Sequence, residues 1–109
     1  MHELAITQSV VEAITERLGD ARVTAVRLEV GQLAGVVSDS LRFCFDVAAQ
    51  GTTVEGARLE IDEPPGRGRC RDCGAERAFH DLILLCDCGS ANIEILAGRE
   101  LRIRSVEVA

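Results

Sequence analysis

Four cysteines in two close pairs carry the densest chemistry in this chain: Cys70 and Cys73 in CRDCG, then Cys86 and Cys88 in CDCGS, with twelve residues between the pairs. Thiolates are ligands that zinc takes four at a time in tetrahedral structural sites, and two close pairs brought together across a hairpin supply that geometry. A glycine follows the second cysteine of each pair, Gly74 and Gly89, where a tight turn can aim backbone N–H groups at sulfur. The second pair is C-x-C, one residue shorter than the usual C-x2-C knuckle, so its turn has to differ. His80, between the pairs, is the substitute ligand should Cys86 or Cys88 fall short. Zinc held by four protein ligands has no open coordination position, so the site is expected to add folding energy and no catalysis. Redox cycling of CRDC is the rival use; the pair does not open a helix after a strand, and a second pair waits nearby.

A second candidate stands at the start, where His2 and Glu3 precede an apolar-periodic stretch. A histidine near a chain end is commonly a polar residue of a frayed terminus. Nothing within MHE itself overturns that reading.

The elements that must position these groups follow from periodicity. Leu4, Val10, Val11, Ile14 and Leu18 recur near helical spacing, which predicts an amphipathic helix over residues 4–18, ended at Gly19. RVTAVRLEVG predicts a half-buried strand with Thr24, Val26, Leu28 and Val30 on one face. After the loop GQLAGVV, Ser38 and Asp39 are N-cap types, and Leu41, Cys44, Phe45 and Ala48 lay an apolar stripe along a second helix that closes at Gly51. Cys44 on that stripe reads as a small buried core residue. ARLEIDEPP predicts a strand stopped by Pro64 and Pro65, and RELRIRSVEV a closing strand whose phase shifts at Ser105, as a bulge would produce. Within the cysteine-rich stretch, FHDLILLC is the candidate hairpin strand.

The fold class is α+β: two helices packed on a three-stranded sheet, with an inserted zinc-ribbon-like domain. Residues 1–64 with 98–109 form the main domain and residues 65–97 the insertion, which is too short to hold a hydrophobic core of its own.

Composition narrows the partners. The chain has 109 residues, is 47% hydrophobic with three aromatic residues, and has a formal net charge of -6. A deficit of positive charge argues against binding a polyanion, although Arg67, Arg69, Arg71 and Arg77 around the first knuckle motivate a nucleic-acid reading. Asp72, Glu76, Asp81 and Asp87 offset them locally, and no aromatic cluster offers base stacking. No apolar run approaches a membrane span and the first residues lack the pattern of a signal peptide, so a cytoplasmic protein is expected. No phosphate loop and no nucleophile and base pairing is readable, so an enzyme is not expected.

With these elements placed, the sequence resembles the HypA/HybF family of nickel metallochaperones that mature [NiFe]-hydrogenase. The resemblance covers essentially the whole chain: MHE before a helix, RLEVGQLAGVVSDSLRFCFD, the cysteine-rich insertion and CGSANIEILAGRELRIRSVEV. It implies nickel at His2 with Glu3 beside it, and structural zinc at Cys70, Cys73, Cys86 and Cys88. It further implies a GTPase partner of the HypB type, contact with the hydrogenase large subunit, and service to urease in some members. The chemistry suits the position, because nickel(II) favours tetragonal nitrogen sites. The terminal amine, the His2 amide and the imidazole can close adjacent chelate rings; alternatively the amides of His2 and Glu3 serve with the imidazole. Protons compete for imidazole, so nickel affinity is expected to fall in mildly acidic solution. Asp39 is a further candidate acid, equally explained as a cap. A monomer or weak homodimer without nucleic acid or membrane contact is expected, and a zinc-ribbon interaction module without nickel transfer is the alternative function.

Overall fold

The computed structural model describes residues 2–109. Eight elements follow in order: α1 (Glu3–Leu18), β1 (Val23–Val30), α2 (Ser38–Ala49), β2 (Arg58–Asp62), β3 (Gly66–Cys70), β4 (Glu76–Phe79), β5 (Ile93–Ala97) and β6 (Leu101–Val108). The strands make two three-stranded sheets, ordered β2-β1-β6 and β4-β3-β5. The chain divides into two compact units, the first Met1–Leu28, Val36–Ile61 and Arg102–Ala109, the second Glu29–Gly35 and Asp62–Leu101. Residues 65–97 thus lie inside the second unit, which also takes in a segment from between the first strand and the second helix.

In the first unit, α1 buries Thr7, Val11 and Ile14, while Leu4 and Leu18 at its two ends remain exposed. Thr7 is the member that apolar periodicity misses. Its hydroxyl bonds back to the carbonyls of Glu3 and Leu4, which satisfies the polar group and leaves the methyl to pack. Gly19 ends the helix with a positive φ of 58°. Against α1 packs α2, burying Leu41, Phe45 and Ala49 at intervals of one turn. Cys44 is only half-buried, a correction to its reading as core: the buried stripe runs through i, i+4 and i+8, and Cys44 lies at its margin.

The N-cap of α2 is Val37, with no side-chain cap, so Ser38 and Asp39 fall in the first turn and not at the cap. In β1, Val26, Leu28 and Val30 are buried as their alternation predicts, but Val23 and Ala25 are buried too and Thr24 is exposed. The Thr24 hydroxyl donates to the carbonyl of Glu107. Strand β6 runs unbroken through Ser105. Ile103, Val106 and Val108 nevertheless line one cavity of about 560 Å³ with Ile14 and Leu18. Arg27 and Arg58 on β1 and β2 pair with Glu60, and Arg58 also with Glu107; such exposed pairs contribute little.

In the second unit, β3 pairs antiparallel with β4 and with β5. The strand of the first hairpin is therefore ERAF, and not FHDLILLC, of which only Phe79 lies in a strand. The run after it turns at Asp81, whose carboxylate accepts the Ile83 N–H, and leaves Leu82, Ile83 and Leu85 exposed. Four consecutive aliphatics without alternation do not specify a strand face. Segment 29–35 is tied in by bonds from Gly31 N–H to Glu100 and from Leu33 N–H to Gly98.

Candidate metal centre

Strand β3 ends on Cys70, and the chain reverses through Cys73 into β4. The Cys70 N–H donates to the carbonyl of Ala75 and the Gly74 N–H to that of Cys70, with Gly74 at a φ of 79°. The second knuckle repeats the scheme: Cys86 N–H to Ser90 carbonyl and Gly89 N–H to Cys86 carbonyl, with Gly89 at 91°. In the first turn the glycine bonds back four residues, in the second only three. That single-residue tightening is how C-x-C does the work of C-x2-C, and both turns need a residue free of the left-handed steric penalty.

The result is one cluster. The ligand atoms of Cys70, Cys73, Cys86 and Cys88 all lie within 4.8 Å of one another, and the contacts across the knuckles, Cys70 to Cys88 and Cys73 to Cys86, are both 3.6 Å. Sulfurs placed about 2.3 Å from a central zinc sit about 3.8 Å apart along a tetrahedral edge. The four thiols therefore fit a closed zinc site. All are free of disulfides. Further polar bonds lace the knuckles together: Asp72 accepts from the Ser90 hydroxyl, Arg71 N–H donates to the Asn92 carbonyl, and the Arg71 guanidinium donates to Asn92 Oδ1. Sequence reading missed these orienting residues; Ser90 and Asn92, polar turn formers just after the second pair, were the available signal.

The thiols are not equivalent. The Cys73 N–H aimed at Cys70 sulfur, aided against burial by the Asp72 N–H and the neighbouring thiols, lowers Cys70 to about 6. At Cys88 the Ser90 N–H pulls downward, but Cys70, Cys86 and burial prevail and push the thiol up to about 12. Cys73 likewise is raised: the Ala75 N–H lowers it, and Cys86, Cys70 and burial outweigh that pull. One thiolate forms readily and its charge holds protons on its neighbours. Four thiolates this close require a cation among them.

His80 is not part of this cluster. Its Nδ1 bonds Gln32 Oε1 at 2.9 Å, and the four cysteines complete the site without it. Three of the four arginines around the first knuckle are held by acids of the same unit, Arg69 by Glu76 and Glu94, Arg71 by Glu94, and Arg77 by Asp87. Cys70 closes a strand and opens no helix, which is not the setting of a redox C-x-x-C.

At the other end of the sequence, His2 is the N-cap of α1, exposed and without a side-chain cap bond. Its carbonyl accepts the Ile6 N–H, so the helix uses the carbonyl and places no demand on the amides of His2 and Glu3. Glu3 turns to α2: its carboxylate accepts from Val37 N–H and Ser40 Oγ at 3.4 and 3.5 Å. Burial works to raise the Glu3 pKa, but bonds from its own N–H, Val37 N–H and the Ser40 hydroxyl hold it below the ordinary carboxylate value. Asp39 sits in the first turn of α2, where a negative charge suits the helix dipole.

Four converging thiols on a small two-unit α+β scaffold define a metal-binding protein. The chain belongs to the HypA family: the family model for hydrogenase/urease nickel incorporation, metallochaperone HypA, matches residues 1–108. It is 50% identical over 109 residues to the hydrogenase maturation factor HypA of Rippkaea orientalis, covering 99% of this chain and 96% of that protein. The HypA of Geotalea uraniireducens is 49% identical over 109 residues, with 99% of each covered. The fold resembles the solution structure of the Ni metallochaperone HypA from Helicobacter pylori, with a TM-score of 0.65 over 99% of this chain and 97% of that one, at 23% identity. Membership makes this chain a nickel metallochaperone of hydrogenase maturation. Among the described residues, no helix is long and apolar enough to cross a membrane.

Proposed function

We propose that this protein carries Ni(II) on its N-terminal turn and delivers it during [NiFe]-hydrogenase maturation, and that zinc in the four-cysteine site serves structure alone. The observation that carries the nickel reading is the geometry of His2: an exposed imidazole on the N-cap, with two adjacent amides outside the helical ladder. The imidazole and those amides supply the nitrogen donors that square-planar nickel favours. Glu3 contributes a carboxylate beside them, either to the ion or to the start of α2, where it accepts from Val37 N–H and the Ser40 hydroxyl. An exposed chain end suits an ion that must be given up again.

Cys70, Cys73, Cys86 and Cys88 hold zinc, whose part is to fix the fold of the second unit. The protein works without catalysing a reaction. Energy for directional transfer comes from a HypB-type GTPase, and the hydrogenase large subunit receives the ion; urease maturation is a variant of the same role. Neither nucleic acid nor membrane takes part, the setting is the cytoplasm, and the chain acts as a monomer or weak homodimer.

Metal analysis and nickel titration of untagged protein test this, beside a variant with an N-terminal extension. One zinc and one nickel per chain, with nickel binding lost in the extended variant, support the reading. Zinc with no nickel binding at all overturns it and leaves a zinc-stapled interaction module.

A further inference from the structure

Ser90 does more than close its own turn. Its carbonyl accepts the Cys86 N–H and so shuts the second knuckle, while its hydroxyl reaches the first, Oγ donating to Asp72 Oδ2. Asp72 stands between Cys70 and Cys73. The same Oγ accepts the Asn92 N–H at 3.0 Å. A hydroxyl has one proton to give and lone pairs with which to receive, and here both capacities are used. The Asn92 bond spans two residues and belongs to the ordinary repertoire of serine turns. The Asp72 bond spans eighteen, and no turn requires it.

A second strap runs beside the first. Asn92 takes the Arg71 N–H on its carbonyl at 2.9 Å and the Arg71 guanidinium on Oδ1 at 3.1 Å. These two residues adjoin Cys70 and Ile93, a register pair of β3 with β5, so the strap carries the end of that ladder onto the knuckles. Arg71 and Asp72 are the two residues inside C-x2-C, and each is tied to the segment that follows the second pair. The sulfur contacts between the knuckles are Cys70 to Cys88 and Cys73 to Cys86, both 3.6 Å. A metal leaves a closed four-sulfur site only when the ligand pairs part, and that parting has to break the straps.

We infer that Ser90 is a positioning residue of the zinc site: its hydroxyl clasps the second knuckle to the first through Asp72 and thereby sets how tightly the metal is retained. The inference rests on the zinc reading above. Ser90 acts through the placement of Cys86 and Cys88, as hydrogen-bonding partners outside a ligand set commonly do. The negative charge of Asp72 works by itself against four thiolates gathered beside it, so what Asp72 contributes is an acceptor at the right reach.

The test follows zinc release to excess chelator from zinc-loaded full-length protein, together with the d–d bands of the cobalt(II)-substituted protein, which report tetrahedral geometry. Wild-type metal content comes first, since a chain that takes no zinc refutes the zinc reading itself, and the clasp falls with it. With zinc present, Ser90→Ala is expected to release it about tenfold faster and to alter the cobalt bands. Ser90→Thr, which keeps the hydroxyl, should stay near wild type in both. Asp72→Asn and Asp72→Ala both lose the charge, but only the first keeps an acceptor; Asp72→Asn should hold zinc at least as long as wild type, and Asp72→Ala should release it faster. Adding Asp72→Ala to Ser90→Ala should accelerate release no further, because one shared bond is lost only once. Ser90→Ala behaving as wild type overturns the inference, as does Ser90→Thr releasing as fast as Ser90→Ala, or Asp72→Ala matching Asp72→Asn. A serine of merely structural use would lower the unfolding midpoint and leave the cobalt bands in place, which also overturns it. Should Ser90→Ala fail to fold, the two Asp72 variants decide.

Discussion

The Glu3 carboxylate reaches Val37 N–H and Ser40 Oγ, so a group that the sequence offers as a metal ligand is occupied in starting α2, whose N-cap has no side-chain bond of its own. Its pKa is lowered on balance, and a depressed carboxyl stabilises the fold fully above its unfolded value and ceases to do so as pH falls through the folded one. Unfolding midpoints measured across the acid range should therefore fall more steeply in wild type than in Glu3→Ala. Hydrogen exchange offers a local reading: the Val37 amide should exchange faster in Glu3→Ala, with the amides of β3 unchanged. His2 makes no such structural bond through its side chain. His2→Ala should abolish nickel binding in a titration while zinc content and circular dichroism stay as in wild type; loss of both metals together would show that the two sites are not separate.

Helices and strands here are held by few large side chains. Phe45 of α2 is 1% exposed and is the bulkiest fully buried residue, so Phe45→Ala should cost about 3–5 kcal/mol in denaturant unfolding. The segment 29–35 depends instead on close backbone approach. A Cβ at Gly31 would stand 2.1 Å from the Gly98 carbonyl oxygen and 2.3 Å from its carbon, and backbone cannot swing aside as a side chain end can. Gly31→Ala should destabilise the second unit by about 3 kcal/mol or more, visible as a lower midpoint for resonances of β3, β4 and β5 than for those of α1 and α2. No propensity rule marks Gly31 out; its neighbour in space comes from nearly seventy positions later in the sequence (~67).

At the scale of the molecule, the two units differ in what sustains them. The first has a conventional core of Val23, Val26, Leu28, Leu41, Phe45 and Val54, while buried positions in the second include Cys70 and Cys86 themselves. Units this small need a staple. With zinc in the four-cysteine site as proposed, stripping the metal should collapse amide dispersion over residues 63–101 and spare α1, α2 and β2, as two-dimensional NMR would show. Loading must expel protons from thiols that hold them tightly, Cys88 at about 12 above all, so zinc binding releases protons and its affinity rises with pH. A chelator competition that found zinc affinity flat from neutral to mildly acid pH would contradict the thiolate site.

What could be read without coordinates was whatever depends on neighbours in sequence. Helical periodicity placed α1 and α2, alternation placed β1, β2 and β6, and ligand spacing grouped Cys70, Cys73, Cys86 and Cys88, because each of those signals repeats within a few residues. Its local limits also show. GRGRC carries two glycines where strand formers are expected and ERAF spans only four residues, so neither announces a strand; both are strands because the knuckle folds one onto the other. Tertiary structure alone decided that Thr7 is core, that Glu3 reaches α2, that His80 is spent on Gln32, and that Arg77 pairs with Asp87. Each of these contacts joins groups that no local pattern relates. Their energy comes from burial and charge in a surrounding that exists only once the chain has folded.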